Sequence, residues 1–274
     1  MKRSKISLII AALVATLSIM ACKEQKKSDN KEAVKTENEV TDMKAKNKIT
    51  LHKLDGSPAY SDAVLSMDAP QSGKIAKSGE VDFSFTVKNY KLGAQTESSN
   101  TNLLANSDKG QHIHFILNNQ PYSAHYEVNF RKEIPDGVHY LVAFLSRSYH
   151  ESVKNDNSFV VKKLEVGTNP KDTLQMDMDA PTLIYSRPKG EYAGKDTENL
   201  LLDFFVLNTE LSEDGNKVRA TINGDEFLIT RWAPYVIKGL PKGEVIISLE
   251  LVDSNGNLIP GPFNKVTRTV ILKN

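Results

Sequence analysis

Gly110–Ser146 reads GQHIHFILNNQPYSAHYEVNFRKEIPDGVHYLVAFLS, and its plan returns at Gly215–Val252 as GNKVRATINGDEFLITRWAPYVIKGLPKGEVIISLELV. In both copies a glycine opens an alternating run, a polar turn follows (Asn118-Asn119 or Asn223-Gly224), and a Pro-x-Gly corner leads into a second alternating run. Period-two alternation puts successive side chains on opposite faces, and tight polar turns between such runs join antiparallel strands. Met67-Asp68-Ala69-Pro70 also returns, as Met178-Asp179-Ala180-Pro181, so the duplication extends well upstream of the paired runs.

Outward from the repeat, Val81–Asn89 (VDFSFTVKN) alternates Val81, Phe83, Phe85 and Val87 with polar residues, the mark of a half-buried strand. Further strands are predicted near 64–67, 112–118, 121–127, 128–133, 138–146 and 159–166. In the second half they are predicted near 174–178, 200–208, 217–223, 226–231, 235–238, 244–253 and 265–272. About seven short strands in each span of about 100 residues, without helical periodicity, predict an all-β chain of two tandem immunoglobulin- or fibronectin-III-like antiparallel sandwiches. The expected division is 49–167 for the first domain and 168–274 for the second, with Thr168-Asn169-Pro170-Lys171-Asp172 as the junction. Lys91–Lys109 is long for a sandwich loop, and its counterpart in the second copy is only Ser212–Asn216, so the first copy carries an insertion.

The chain has 274 residues, with 35 Lys and Arg against 34 Asp and Glu. That balance argues against a nucleic-acid partner or a polybasic membrane patch. Residues 1–21 read as a targeting leader, with Lys2, Arg3 and Lys5 ahead of a short apolar run from Ile6 to Met20. The run closes on Ile19-Met20-Ala21-Cys22, which resembles the lipobox of bacterial lipoproteins. The resemblance implies cleavage before Cys22, a diacylglycerol thioether on that cysteine and an acylated new terminus, a multi-chain membrane anchor. Lys23 stands where lipoproteins retained at the inner membrane often carry aspartate, so the resemblance implies the outer membrane. Cys22 is the only cysteine, which rules out an intrachain disulfide. Residues 22–48 are charged and nearly free of large apolar side chains, so a disordered tether is predicted there.

The repeat also assigns faces. In the second copy Val218, Ala220 and Ile222 suit the interior better than Lys217, Arg219 and Thr221, and Val245, Ile247, Leu249 and Leu251 suit it likewise. Transferring the register makes Ile113, Phe115, Leu117, His139, Leu141, Ala143 and Leu145 internal in the first copy. His112, His114, Ile116, Tyr140, Val142 and Phe144 then point outward, where the second copy has Lys217, Arg219, Thr221, Ser248 and Glu250. An aromatic and imidazole-bearing outer wall marks a contact. The antiparallel arrangement brings Arg147-Ser148-Tyr149-His150-Glu151-Ser152-Val153-Lys154 beside His112, with the 91–109 insertion at the same end. The segments RSYHESVK and GQHIHFILNNQPY resemble stretches of bacterial envelope sandwich proteins, a resemblance that covers the first domain only and implies no activity.

Two functions follow as expectations. The first is a non-enzymatic, lipid-anchored, monomeric envelope protein whose first domain displays a surface for a protein, peptide or glycan. Tyr140 and Phe144 would be its stacking area, His112, His114, His150 and Glu151 its imidazole and acidic members, and Arg147, Tyr149 and Lys154 its rim. The second is a copper- or zinc-binding protein, because His112 and His114 share a strand face and His150 or Glu151 can add a third ligand. With no cysteine or methionine near, blue-copper ligation is excluded. A third reading has the wall packed against the second domain. His139, two residues after Gly137, reads as structural, bonding back to the preceding turn as a corner tyrosine does. No Gly-x-Ser-x-Gly elbow or phosphate-cradling loop is present, and Asp253-Ser254-Asn255-Gly256-Asn257 lacks the later glutamate of a calcium loop.

Overall fold

Both polar turns of the repeat adopt the backbone that their residues favour. Asn118 and Asn119 hold φ of 53° and 54°, and Asn223 and Gly224 hold 48° and 94°, the left-handed pair that a two-residue hairpin requires. In each copy the first turn residue also clamps the next strand. The Asn118 Oδ1 accepts from the Tyr140 N–H and the Asn223 Oδ1 from the Ile246 N–H, both at 2.8 Å. The structure, a computed structural model, describes residues 48–274. The leader, the lipidation at Cys22 and all but the last residue of the tether lie outside the described residues.

In chain order the strands are β1 Thr50–Lys53, β2 Val64–Ala69, β3 Lys74–Ile75, β4 Gly79–Lys88, β5 His112–Leu117, β6 Ser123–His125, β7 Asn129–Ile134, β8 Gly137–Ser146 and β9 Phe159–Val166. They continue as β10 Thr182–Arg187, β11 Glu191–Tyr192, β12 Leu200–Leu207, β13 Lys217–Ile222, β14 Asp225–Ile229, β15 Tyr235–Lys238, β16 Gly243–Val252 and β17 Lys265–Leu272. One short helix, Asn100–Leu103, lies in the insertion. The first sandwich packs a sheet of order β2-β4-β7 against one of order β3-β9-β8-β5-β6. The second repeats this with β10-β12-β15 against β11-β17-β16-β13-β14, so the chain is all-β, two tandem sandwiches of the immunoglobulin and fibronectin-III kind.

Even the register is duplicated. His112 pairs with Ser146 and Leu117 with Leu141 in the first copy, and Lys217 pairs with Val252 and Ile222 with Ile247 in the second. The inward residues follow from it: Ile113, Phe115, Leu141, Ala143 and Leu145 lie in the first core, and Val218, Ala220, Ile222, Val245, Ile247, Leu249 and Leu251 in the second. His139 is buried, donating from Nε2 to the Pro135 carbonyl at 2.9 Å, so it ties its strand back to the preceding turn.

Two expectations are corrected. Thr50–Lys53, placed by sequence at the start of the first domain, pairs antiparallel with β15 and completes the second sandwich as a sheet of order β1-β15-β12-β10. Ile49 is buried in the second core. A short strand next to Tyr235–Lys238 covers an edge that would otherwise offer unpaired backbone groups to any passing chain.

The second correction concerns the outer wall of the first sandwich, which is not exposed. Ile116, Tyr140, Val142 and Phe144 form a third apolar cluster with Ile184, Phe205, Leu207 and Phe263 of the second sandwich. Phe144 stacks on Phe205 with centroids 5.0 Å apart, and the Tyr140 hydroxyl donates to Asp172 at 2.6 Å. The wall is apolar because it is one half of an interface. Its counterpart in the second copy faces water and keeps Arg219 paired with Glu250.

Candidate metal centre

The one polar part of the buried wall is its imidazole end. His112 and His114, two apart on β5, project from the same face, and the loop after β8 carries His150 back to them. One nitrogen of each ring lies within 4.8 Å of the other two. The His112 and His114 Nε2 atoms are 2.9 Å apart, and His150 Nδ1 is 3.2 Å from His112 Nε2. An ion about 2.0–2.1 Å from each of three imidazole nitrogens needs those nitrogens about 3.4 Å apart, so small side-chain shifts suffice to seat one.

The hydrogen bonds behind the cluster orient the rings. The Gly110 carbonyl 2.8 Å from His112 Nδ1 can only accept, so that nitrogen carries the proton and Nε2 presents a lone pair inward. His114 Nδ1 faces the Ser186 hydroxyl of the second sandwich at 3.2 Å, a partner of the type that fixes ligating histidines from outside. The Tyr122 hydroxyl lies 3.1 Å from His150 Nδ1, and its ring stacks on His114 with centroids 3.5 Å apart. His150 has a φ of 70°, a left-handed backbone that costs a side-chain-bearing residue about 1–2 kcal/mol. That conformation is held by the turn in which the His150 N–H donates to the Arg147 carbonyl at 2.9 Å.

All three rings are held neutral. Loss of hydration pushes His112 down to about 4, and Arg187 and Lys189 press the same way. His114 and His150 are also lowered well below the ordinary imidazole value, first by burial and then by their neighbouring rings and the same two cations. His112 and His114 are fully buried and His150 only partly, so solvent meets the cluster on the His150 side. Lys189 is itself pushed down to about 8 by burial and by Arg187 and Arg268.

The other predicted site residues serve different ends. Glu151, the alternative third ligand, turns away to pair with Arg147 at 3.0 Å and to accept from Ser57. Arg147 and Tyr149, expected on an exposed rim, are buried. The guanidinium also donates to the Ser152 and Pro58 carbonyls, and the Tyr149 hydroxyl donates to Ser57 at 2.9 Å. Lys154 bridges the sandwiches by an ion pair with fully buried Asp203 at 2.5 Å. The insertion covers this loop through bonds between Thr96 and Ser148 and from the Ser107 N–H to the Ser148 carbonyl. Tyr140 and Phe144, the expected stacking area, are sealed in the interface and offer no free surface. Tyr122, Ser186, Arg187 and Lys189 were missed by sequence reasoning. The last three stand on the other sandwich, and no local pattern announces that contact.

No family model matches the chain, and no curated protein does. Among solved structures it is similar to the fibronectin(III)-like modules of CbhA from Clostridium thermocellum, at 14% identity over 77% of this chain and 94% of that one, with a TM-score of 0.27. It is similar to the chicken CNTN1 FN1–FN3 domains at 10% identity over 81% of this chain and 68% of that one, TM-score 0.23. A third is the Bacteroides ovatus glucan-utilization protein SGBP-B in complex with a mixed-linkage heptasaccharide, at 13% identity over 77% of this chain and 47% of that one, TM-score 0.19. Likenesses of this size carry no argument about what the chain binds.

Proposed function

We propose that this protein is a non-enzymatic, lipid-anchored protein of the cell envelope whose binding function is to hold a copper or zinc ion on His112, His114 and His150. One observation carries the reading: three neutral imidazoles from two segments 38 residues apart converge their nitrogens on one point. The inward nitrogens bond one another and the Tyr122 hydroxyl, and a single ion would take the place of those contacts by engaging all three rings at once. The Gly110 carbonyl and Ser186 hydroxyl behind two of the rings supply the outer contacts that such ligands use. The anchor is supported by the lipobox-like Ile19-Met20-Ala21-Cys22, and the outer membrane by Lys23 directly after that cysteine.

Metal analysis of the full chain, purified without an affinity tag, tests the reading. About one equivalent of copper or zinc is expected in the wild type, and none in His114→Ala or His150→Ala variants whose circular dichroism is unchanged. A wild-type protein that takes up neither metal from micromolar solutions would overturn it.

A further inference from the structure

We infer that the ion this site is built for is monovalent copper, and that Arg187 and Lys189 of the second sandwich set the preference by charge. The inference rests on the three-imidazole reading and goes beyond it by choosing between the ions that imidazole suits.

The donor set has no charge of its own. Its members are three neutral rings, and no carboxylate or sulfur joins the cluster among the described residues. The surroundings are positive. Lys189 Nζ lies 3.8 Å from the centroid of the Tyr122 ring that stacks on His114, and the Arg187 guanidinium lies 5.7 Å from the same centroid. Asp203, the carboxylate that reaches Arg187, is already bound by Lys154 and the Ser152 hydroxyl. Lys189 spends its ammonium on a neutral acceptor, the Tyr122 carbonyl, at 2.6 Å.

Coulomb repulsion grows in proportion to the ion's charge, and the cost of taking an ion out of water grows as its square. A dication placed here therefore meets twice the repulsion and about four times the desolvation cost of a monocation, with no anionic ligand in return.

Competition titrations on the full chain test this, using bicinchoninate under anaerobic reducing conditions for Cu(I) and a zinc chelator dye for Zn(II). The wild type is expected to bind Cu(I) more tightly than Zn(II). Lys189→Gln, which drops the charge but can still donate to the Tyr122 carbonyl, is expected to strengthen both. The Zn(II) factor should be the square of the Cu(I) factor, about ninefold against about threefold for example. Tighter wild-type binding of Zn(II), or equal factors for the two ions in Lys189→Gln, would overturn the charge argument and leave the metal site standing. No binding of either ion would sink the three-imidazole reading itself.

Discussion

His114 is engaged through both ring nitrogens, one facing Ser186 across the sandwich junction and the other facing His112. Removing it therefore does two things, and a Ser186→Ala variant separates them. That variant is expected to keep the ion but weaken its affinity by about 10-fold or more, the usual cost of losing an outer partner, measured in the same chelator competition. Protonation of the metal-free protein tests the neutral rings. The three folded-state values lie below the ordinary imidazole value of about 6.5, so the unfolded chain takes up protons first as the pH falls. The cluster's contribution to stability is thus present above about pH 6.5 and is lost as the pH drops through about 6.5 toward about 4. Urea midpoints taken across that window with chelator present should fall more steeply for the wild type than for His150→Asn. Asp203, fully buried against Lys154 and the Ser152 hydroxyl and N–H, is a separate matter. Asp203→Ala takes the carboxylate from a largely buried ammonium, leaving Lys154 only the Ser152 hydroxyl, and is expected to cost about 3 kcal/mol in chemical denaturation.

At the level of elements, the repeat made most of the fold legible. The shared Asn turns, the Pro-x-Gly corners and the alternation fixed both the strand register and the inward faces, since a one-residue slip would have exposed Val218, Ala220 and Ile222 together. Thr50–Lys53 was not legible as a strand of the second sandwich, because four residues of mixed polarity carry no sign of a partner some 185 residues away. The structure makes that strand a dependency. A fragment of residues 168–274 lacks Ile49 from its core and leaves the β15 edge bare, so it is expected to be less stable than the same fragment given residues 48–54 as a peptide. Amide-exchange protection of the β15 N–H groups that face β1, as distinct from those that bond β12, should appear only with the peptide. The loop 147–154 was legible as a neighbour of His112, and its His150 joined the cluster. Its Arg147, Tyr149 and Glu151 were misassigned to a surface, since a charged sequence does not reveal that its charges pair with one another.

For the molecule as a whole, the apolar outer wall pointed to a contact and the sequence left the partner open. One cue was present. β10 (TLIYSR) and β12 (LLLDFFVL) are buried at every position, and apolar runs without alternation belong to strands covered on both faces. Those strands supply Ile184, Phe205 and Leu207 to the junction, which gives the first sandwich its partner within the same chain. Calorimetry should accordingly show the two sandwiches melting together. Phe205→Ala is expected to cost about 3–5 kcal/mol and to loosen the His114 to Ser186 contact as well. The junction and the imidazole cluster are thus one construction, with the ligands on one sandwich and the cations and outer hydroxyl on the other.

The most direct measurement is nitrogen NMR of the histidine rings in the full chain, before and after one equivalent of Cu(I). The account predicts that His112 Nε2, His114 Nε2 and His150 Nδ1 shift together at one equivalent, while His52, His125 and His139 stay in place. Unmoved resonances at those three nitrogens, or shifts confined to the other three histidines, would contradict it.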